Sequence, residues 1–306
     1  MQIAVAATPE VALPTLEALL KSDHDLVSVI TQPDRPAGRG LSLKESPVAI
    51  WAKDRGISVR KPVDQEELKL AVSDIDLVIT IGFGVIIKEE ILNLPKHGFI
   101  NLHFSLLPAW RGAAPVQRAI ESGDEKLGIT VFLLDQGMDT GPIYAQTSFS
   151  RDSTMRSKEA LEFLGEQGVD LIAETLQDIS RGVAPVSQRQ DGITLARKLS
   201  KSEALIDWRL SAEVIDRKVA AFYPSPIAFT NFRNEILKIT RSALCSEPSA
   251  EFSLRAGEWM VEKDRVLIGT GDQVLEIVQV IPQGKSEMKA TDWARGARIS
   301  PGELCG

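Results

Sequence analysis

The stretch Asn101–Gly112, NLHFSLLPAWRG, holds the densest set of residues able to do chemistry. Asn101 and His103 flank the apolar Leu102, so on a β-strand their side chains share one face. An amide beside an imidazole offers a donor for a developing oxyanion and a group whose ordinary pKa is about 6.5. The second cluster, Gly137–Ile143 (GMDTGPI), sets Asp139 between glycines that allow a tight loop and close backbone approach. Alone, Asp139 would be an ordinary turn aspartate bonding its own backbone. Together with Asn101 and His103 it has a better role, as the carboxylate that orients an imidazole. His24 and His97 lie in turn-like settings and are read as structural.

Two other chemistries fit these residues poorly. Asn is a weak transition-metal ligand, and the chain has no HExxH motif or Cys/His cluster, so no metal is expected. The first apolar run leads into Ala6-Ala7-Thr8-Pro9 rather than GxGxxG, and Ile81-Gly82-Phe83-Gly84 lacks the third glycine of a dinucleotide fingerprint.

The elements that must hold these groups alternate between strand and helix over residues 1–185. Strands are expected at Gln2–Ala7, Leu26–Thr31, Leu77–Ile81, Phe99–His103, Leu127–Leu134 and Ile143–Phe149. Helices are expected at Val11–Leu20, at Pro47–Arg55 with Ser46 as N-cap, at Ala114–Ser122, and over Ser157–Ser180. A loop rich in Pro, Gly and Arg, Gln32–Gly40, separates the second strand from the second helix. This alternation predicts an α/β domain with an open, Rossmann-like, mostly parallel sheet, whose ligands sit at the carboxyl ends of the strands. Arg181–Asp191 reads as a linker, and residues 186–206 as linker plus the start of a second domain. Beyond it a helix at Ala212–Phe222 precedes five short strands between Ile227 and Ile281, which predicts a small β-barrel over 207–306.

Bulk properties are those of a globular protein: 306 residues, 43% hydrophobic and 25% charged. No run of eighteen apolar residues and no cleavable leader is visible, so a cytoplasmic protein with no membrane partner is expected. Cys245 and Cys305 have no metal-ligand spacing and read as free thiols. The net charge of −7 argues against a nucleic-acid partner. Its distribution softens that objection, because Val186–Arg241 carries more basic than acidic residues and charges act locally at moderate salt.

N-x-H followed by SLLP-x-x-RG, and then GMDTG after a strand, resembles the folate-dependent formyltransferase family. The resemblance implies that Asn101, His103 and Asp139 are catalytic. It also implies that Ser105, Leu106, Leu107 and Pro108, with the Gly82-Phe83-Gly84 loop, border the folate. The implied donor is 10-formyltetrahydrofolate, used as a substrate. Transfer to an amine passes through a tetrahedral intermediate, with Asn101 and protonated His103 as donors to its oxygen and Asp139 raising the imidazole pKa. Three further strings resemble the branch of the family that acts on methionyl initiator tRNA: TQPDRPAGRG (Thr31–Gly40), ARKLSKSEALIDW (Ala196–Trp208) and FYPSPIAF (Phe222–Phe229). They imply an OB-like barrel that binds tRNA. They also imply phosphate contacts from Arg35, Arg39, Lys198 and Lys201, with Arg217, Lys218 and Lys238 as further candidates; a monomer is expected. Two rivals are an aminosugar-nucleotide formyltransferase, which the PDRPAGRG loop argues against, and a catalytically silent tRNA binder, which the intact Asn-His-Asp set argues against. Phe104 departs from the family pattern, standing where relatives usually carry a small residue or proline, and is expected to narrow the approach to His103.

Arg39→Ala is expected to weaken tRNA-dependent formyl transfer with little change in folate binding. Unchanged tRNA dependence in a steady-state assay would return this loop to ordinary surface.

Overall fold

A computed structural model describes residues 1–37, 42–245 and 254–306. Arg39, with its neighbours Gly38 and Gly40, lies outside the described residues. The chain divides into two compact units. The first comprises Met1–Pro115, Lys126–Ser150 and Leu161–Ala196; the second comprises Val116–Glu125, Arg151–Ala160 and Arg197–Gly306. The stretch 186–196, expected as linker, therefore clusters with the first unit.

The first half of the chain runs β1 (Gln2–Ala7), α1 (Leu13–Leu20), β2 (Asp25–Ile30), β3 (Arg35–Ala37), β4 (Ser42–Lys44), α2 (Pro47–Asp54), β5 (Ser58–Arg60), α3 (Gln65–Val72), β6 (Leu77–Ile81), α4 (Glu89–Leu92) and β7 (Phe99–His103). It continues through β8 (Arg111–Gly112), α5 (Pro115–Ser122), β9 (Lys126–Leu133), β10 (Ile143–Ser150), α6 (Ser157–Arg181) and β11 (Leu195–Ala196). Seven strands form one sheet in the order β10-β9-β7-β6-β1-β2-β5. The pairs from β7 through to β5 are parallel, while β9 and β10 join antiparallel. This is the mostly parallel sheet expected from the alternation. Strands buried on both faces carry continuous apolar runs, and Ile3–Ala7 and Leu77–Ile81 are buried throughout.

Chain order reverses direction between β1 and β6, because β2 and β5 build out on one side and β6 and β7 on the other. Such a switch point opens a crevice at the carboxyl ends of the strands. The ends of β6 and β7 reach that edge in register, with Thr80 beside Asn101.

Local signals explain several boundaries. Ser46 caps α2, accepting a hydrogen bond from Ala49 N–H at 3.1 Å, and Pro47 occupies the first turn where it sacrifices no bond. Asp64 caps α3 in the same way through Glu67 N–H at 2.9 Å. The loop expected at 32–40 contains β3, which pairs antiparallel with β4. β5 and α3 carry too few apolar residues for periodicity alone to reveal them.

The second unit contains α7 (Ala212–Phe222), β12 (Phe229–Phe232), β13 (Glu235–Leu244), β14 (Trp259–Val261), β15 (Val266–Gly269), β16 (Val274–Pro282), β17 (Met288–Lys289) and α8 (Ala290–Ala297). Its strands form an antiparallel sheet in the order β12-β13-β16-β15-β14, with β17 also on β16. Register shifts around Arg241 mark bulges that bend β13, the device that curls a sheet toward a barrel. Among the described residues β12 and β14 do not pair, so the curl is a half-barrel. Its core is aromatic: Phe232, Trp259 and Trp293 meet edge-on with centroids 5.2–5.9 Å apart. Cys245 and Cys305 are free, and burial pushes the Cys305 thiol up to about 11. Among the described residues no helix is long and apolar enough to cross a membrane.

Phe99 opens the strand that carries Asn101 and His103, and it is fully enclosed in a cluster with Val78, Phe83, Ile91 and Leu92. Phe99→Ala is expected to cost about 3–5 kcal/mol of unfolding free energy by urea titration.

Candidate functional site

The strand β7 ends at His103, and its alternation works as anticipated: Asn101 and His103 lie on one face while Leu102 packs away. Asn101 Nδ2 donates to Thr80 Oγ1 at 2.8 Å, and Thr80 Oγ1 in turn donates to the Ile100 carbonyl at 3.1 Å. Thr80 spends its single proton on that carbonyl, so it can only accept from Asn101, which fixes the amide's orientation. The Asn101 Oδ1 is buried with no partner among the described residues. A buried, unpaired amide oxygen is costly unless a ligand completes it, so this amide retains capacity for a polar guest.

His103 is 6% exposed. Its Nε2 lies 3.0 Å from the Trp110 carbonyl, which only a ring N–H can satisfy. The proton is thereby placed on Nε2, and Nδ1 carries the lone pair. Nδ1 faces Asp139 Oδ2 at 3.8 Å, beyond hydrogen-bond length. The Phe132 ring meets the imidazole edge-on at 6.2 Å. Burial lowers the His103 pKa below its ordinary 6.5, and the Asp139 charge and the Trp110 carbonyl recover only part of that shift. The sequence predicts a protonated ring whose pKa Asp139 raises. Asp139 does pull in that direction, and desolvation outweighs it, so the ring's pKa lies below its ordinary value. In the neutral ring Nδ1 can accept a proton, and the nearby Asp139 charge favours the charged form.

Asp139 has a φ of 53°, an uncommon value for a residue with a side chain. Its Oδ2 accepts the Gly112 N–H at 2.7 Å. Gly112 has a φ of 126°, and a Cβ there would lie 2.7 Å from the Ala196 carbonyl oxygen, so only glycine brings this donor so close. Asp135 closes the turn before Asp139, accepting from Gly137 N–H at 3.0 Å and from Thr140 Oγ1 at 2.7 Å. A Cβ on Gly141 would fall 1.8 Å from the Leu133 carbonyl oxygen, so the loop follows the strand end too closely for any other residue.

The Ser105–Pro108 turn is held from beneath by two residues that no motif marked. Thr130 Oγ1 donates to the Ser105 carbonyl at 2.7 Å and accepts from Leu107 N–H at 3.3 Å and from Gln146 Nε2 at 2.8 Å. Gln146 also donates to the Leu107 carbonyl at 2.9 Å. Both sit on the antiparallel strands β9 and β10, so only the fold brings them here. Ser105, Leu107 and Pro108 are buried, leaving Leu106 half-buried. Phe104 is buried as well, in the bend that follows β7. In the Gly82–Gly84 loop Phe83 packs into the core, while its carbonyl accepts from Gln32 Nε2 at 2.6 Å.

The basic candidates scatter. Arg35, Lys198 and Lys201 are exposed, with Arg35 donating to Gln32. Arg217 pairs with Glu213 at 2.7 Å, and Lys218 Nζ bonds the Glu203 carbonyl at 2.8 Å, so both are committed to their own unit. Lys238 is half-buried.

The chain matches the formyl transferase family over residues 1–173 and the formyl transferase C-terminal domain over residues 198–298. It is 42% identical to the methionyl-tRNA formyltransferase of Salinispora tropica, covering 99% of each chain. Among solved structures, the methionyl-tRNA formyltransferase from Clostridium thermocellum superposes with a TM-score of 0.58 at 20% identity, over 81% of this chain and 95% of that one. HypX from Aquifex aeolicus, in complex with tetrahydrofolic acid, superposes with a TM-score of 0.66 at 17% identity. That match covers 96% of this chain, which spans about half the length of HypX, 47%. At these identities the structural likenesses speak to the fold.

With three histidines in the chain, the His103 imidazole can be followed by nuclear magnetic resonance. Its titration midpoint is expected below 6.5, and Asp139→Asn is expected to lower it further by removing the one favourable charge. A midpoint above 6.5 would mean that the carboxylate, not burial, dominates.

Proposed function

The chain belongs to the formyl transferase family, among its methionyl-tRNA formyltransferases, and on that premise we propose that it transfers the formyl group of 10-formyltetrahydrofolate to the α-amino group of methionyl initiator tRNA. The observation that carries this reading is the grouping of Asn101, His103 and Asp139 at the carboxyl end of a central strand, with the His103 Nδ1 facing the Asp139 carboxylate at 3.8 Å. The spare acceptor and second N–H of the Asn101 amide fit a ligand's carbonyl and amine, and the Ser105–Pro108 turn beside it is preorganised by Thr130 and Gln146. Folate, when bound, supplies the formyl carbon and a leaving nitrogen.

Each side chain then has a distinct task. Asn101, anchored by Thr80, donates its free N–H to the oxygen on which charge develops; removing such a donor typically costs about 10²–10³ in rate. His103 Nδ1 takes the proton that the attacking amine must lose and passes it to the departing nitrogen. Asp139, held by the Gly112 N–H, balances the transient imidazolium. An α-amino group titrates at about 7.7–8.0, and one next to an ester lower, so the nucleophile needs no covalent help from the protein. Arg35, Arg39, Lys198 and Lys201 are the proposed tRNA phosphate contacts, and Gly82, Phe83 and Gly84, through backbone atoms, with Ser105–Pro108 the proposed folate border. The protein is proposed to act as a cytoplasmic monomer.

The reading is tested by offering charged methionyl initiator tRNA and a UDP-aminosugar in parallel with 10-formyltetrahydrofolate. Formylation of the tRNA alone is expected; formylation of the sugar alone would keep the chemistry and overturn the acceptor. In the same assay His103→Ala and Asp139→Asn are expected to lose about 10²–10⁴ of kcat while still binding folate. Near wild-type turnover in either variant would sink its assigned role.

A further inference from the structure

The segment after α6 does more than connect. Val186 pairs with Ile143 through two backbone hydrogen bonds of 2.7 and 2.8 Å. Thr194 Oγ1 accepts from Trp110 N–H at 2.8 Å, and the Thr194 carbonyl accepts from Arg111 N–H at 2.9 Å. Leu195 and Ala196 then pair in parallel with Arg111 and Gly112. This strap thus touches the peptide whose carbonyl fixes the His103 proton and the residue whose N–H holds the Asp139 carboxylate.

Between those points lies Gln188, 6% exposed, with every polar capacity used. Its Nε2 donates to the carbonyls of Asp139 at 2.9 Å and Gly141 at 2.8 Å. Its Oε1 accepts from Arg111, at 2.6 Å from one terminal nitrogen and 3.2 Å from Nε. The amide orientation is set by chemistry, because a guanidinium can only donate and the two carbonyls can only accept. With both donors and its acceptor spent, Gln188 has nothing left for a ligand. What it controls is the backbone on either side of Thr140, including Asp139 in its strained φ of 53°.

We propose that Gln188, backed by Arg111, is a positioning residue that holds the Asp139 loop so that its carboxylate faces His103. This rests on the roles proposed above for Asp139 and His103. Gly112 grips Asp139 by its carboxylate and Gln188 grips it by its carbonyl, so the two contacts together define where the charge stands. The charge facing the imidazole is that of Asp139, and the Arg111 guanidinium is turned to Gln188.

The test is Gln188→Met, which keeps length and neutrality but removes all four hydrogen bonds. The expected result is a kcat reduced by up to about 100-fold with KM for folate and tRNA little changed, since misplacement of a catalytic group acts on the chemical step. The His103 titration should move to lower pH, as it does in Asp139→Asn. In the Asp139→Asn background Gln188→Met should cost little more, because two changes acting through one carboxylate are not additive. If Gln188→Met does not fold, by thermal unfolding, Gln188→Asn replaces it: the amide is kept one methylene short, and a smaller shift in the same direction is expected. A lowered kcat with the His103 titration unmoved, in a variant where Asp139→Asn does move it, would leave Gln188 as ordinary packing and overturn the proposal alone. If Asp139→Asn itself leaves turnover and titration unchanged, the role of Asp139 falls, and this proposal falls with it.

Discussion

The His103 ring stands almost out of water, with one nitrogen on the Trp110 carbonyl and the other facing Asp139 at 3.8 Å. Desolvation opposes charge on that ring and the carboxylate favours it, and the balance lies on the side of desolvation. A ring left neutral at rest, yet beside a carboxylate that can support it when charged, is suited to taking up a proton and giving it back. The separation of 3.8 Å matters because a full ion pair would hold the proton, and a longer gap would lose the support. Several hydrogen bonds from distant parts of the chain meet around that geometry.

Keeping it requires holding groups from distant parts of the chain. The sheet supplies His103 and Asn101 at the end of β7, next to the end of β6, where Thr80 orients the amide. The antiparallel extension β9–β10 supplies Thr130 and Gln146 under the Ser105–Pro108 turn. The strap after α6 supplies Ala196 beside Gly112, Thr194 beside Trp110 and Gln188 beside Asp139. Apart from the side-chain bond between Asn101 and Thr80, these ties are hydrogen bonds to backbone, and none of them adds charge near the imidazole. A basic side chain in any of these places would have depressed the His103 pKa further.

The glycines make sense in the same terms. Gly112 and Gly141 are places where the backbone of one segment lies against the carbonyl of another, closer than any Cβ permits. The loop bearing Asp139 is held by close approach at Gly141 and by the Gly112 N–H on the Asp139 carboxylate, around a residue whose φ of 53° is uncommon for one with a side chain. The Asn101 amide oxygen is the opposite case, a buried acceptor with no partner among the described residues.

Local signals made the alternating strands and helices, the Ser46 cap, the shared face of Asn101 and His103 and the turn glycines around Asp139 legible in the sequence, because they depend on period, capping and short-range sterics. The mostly parallel sheet and the antiparallel second sheet follow from those patterns. The short, polar β5 and α3 stayed hidden, since their stability comes from packing and not from periodicity. The motif made the pull of Asp139 on the His103 pKa legible, but not the desolvation that outweighs it, because desolvation depends on what covers the ring. Gln188 lay in a stretch whose Gly, Pro and polar residues read as linker, and nothing local marks a glutamine that acts forty-nine positions away. By itself the sequence determined the family resemblance, the main elements and the candidate groups they carry. Only the tertiary structure decided how those groups are held and charged, because burial and long-range hydrogen bonds belong to the folded chain and to no segment of it.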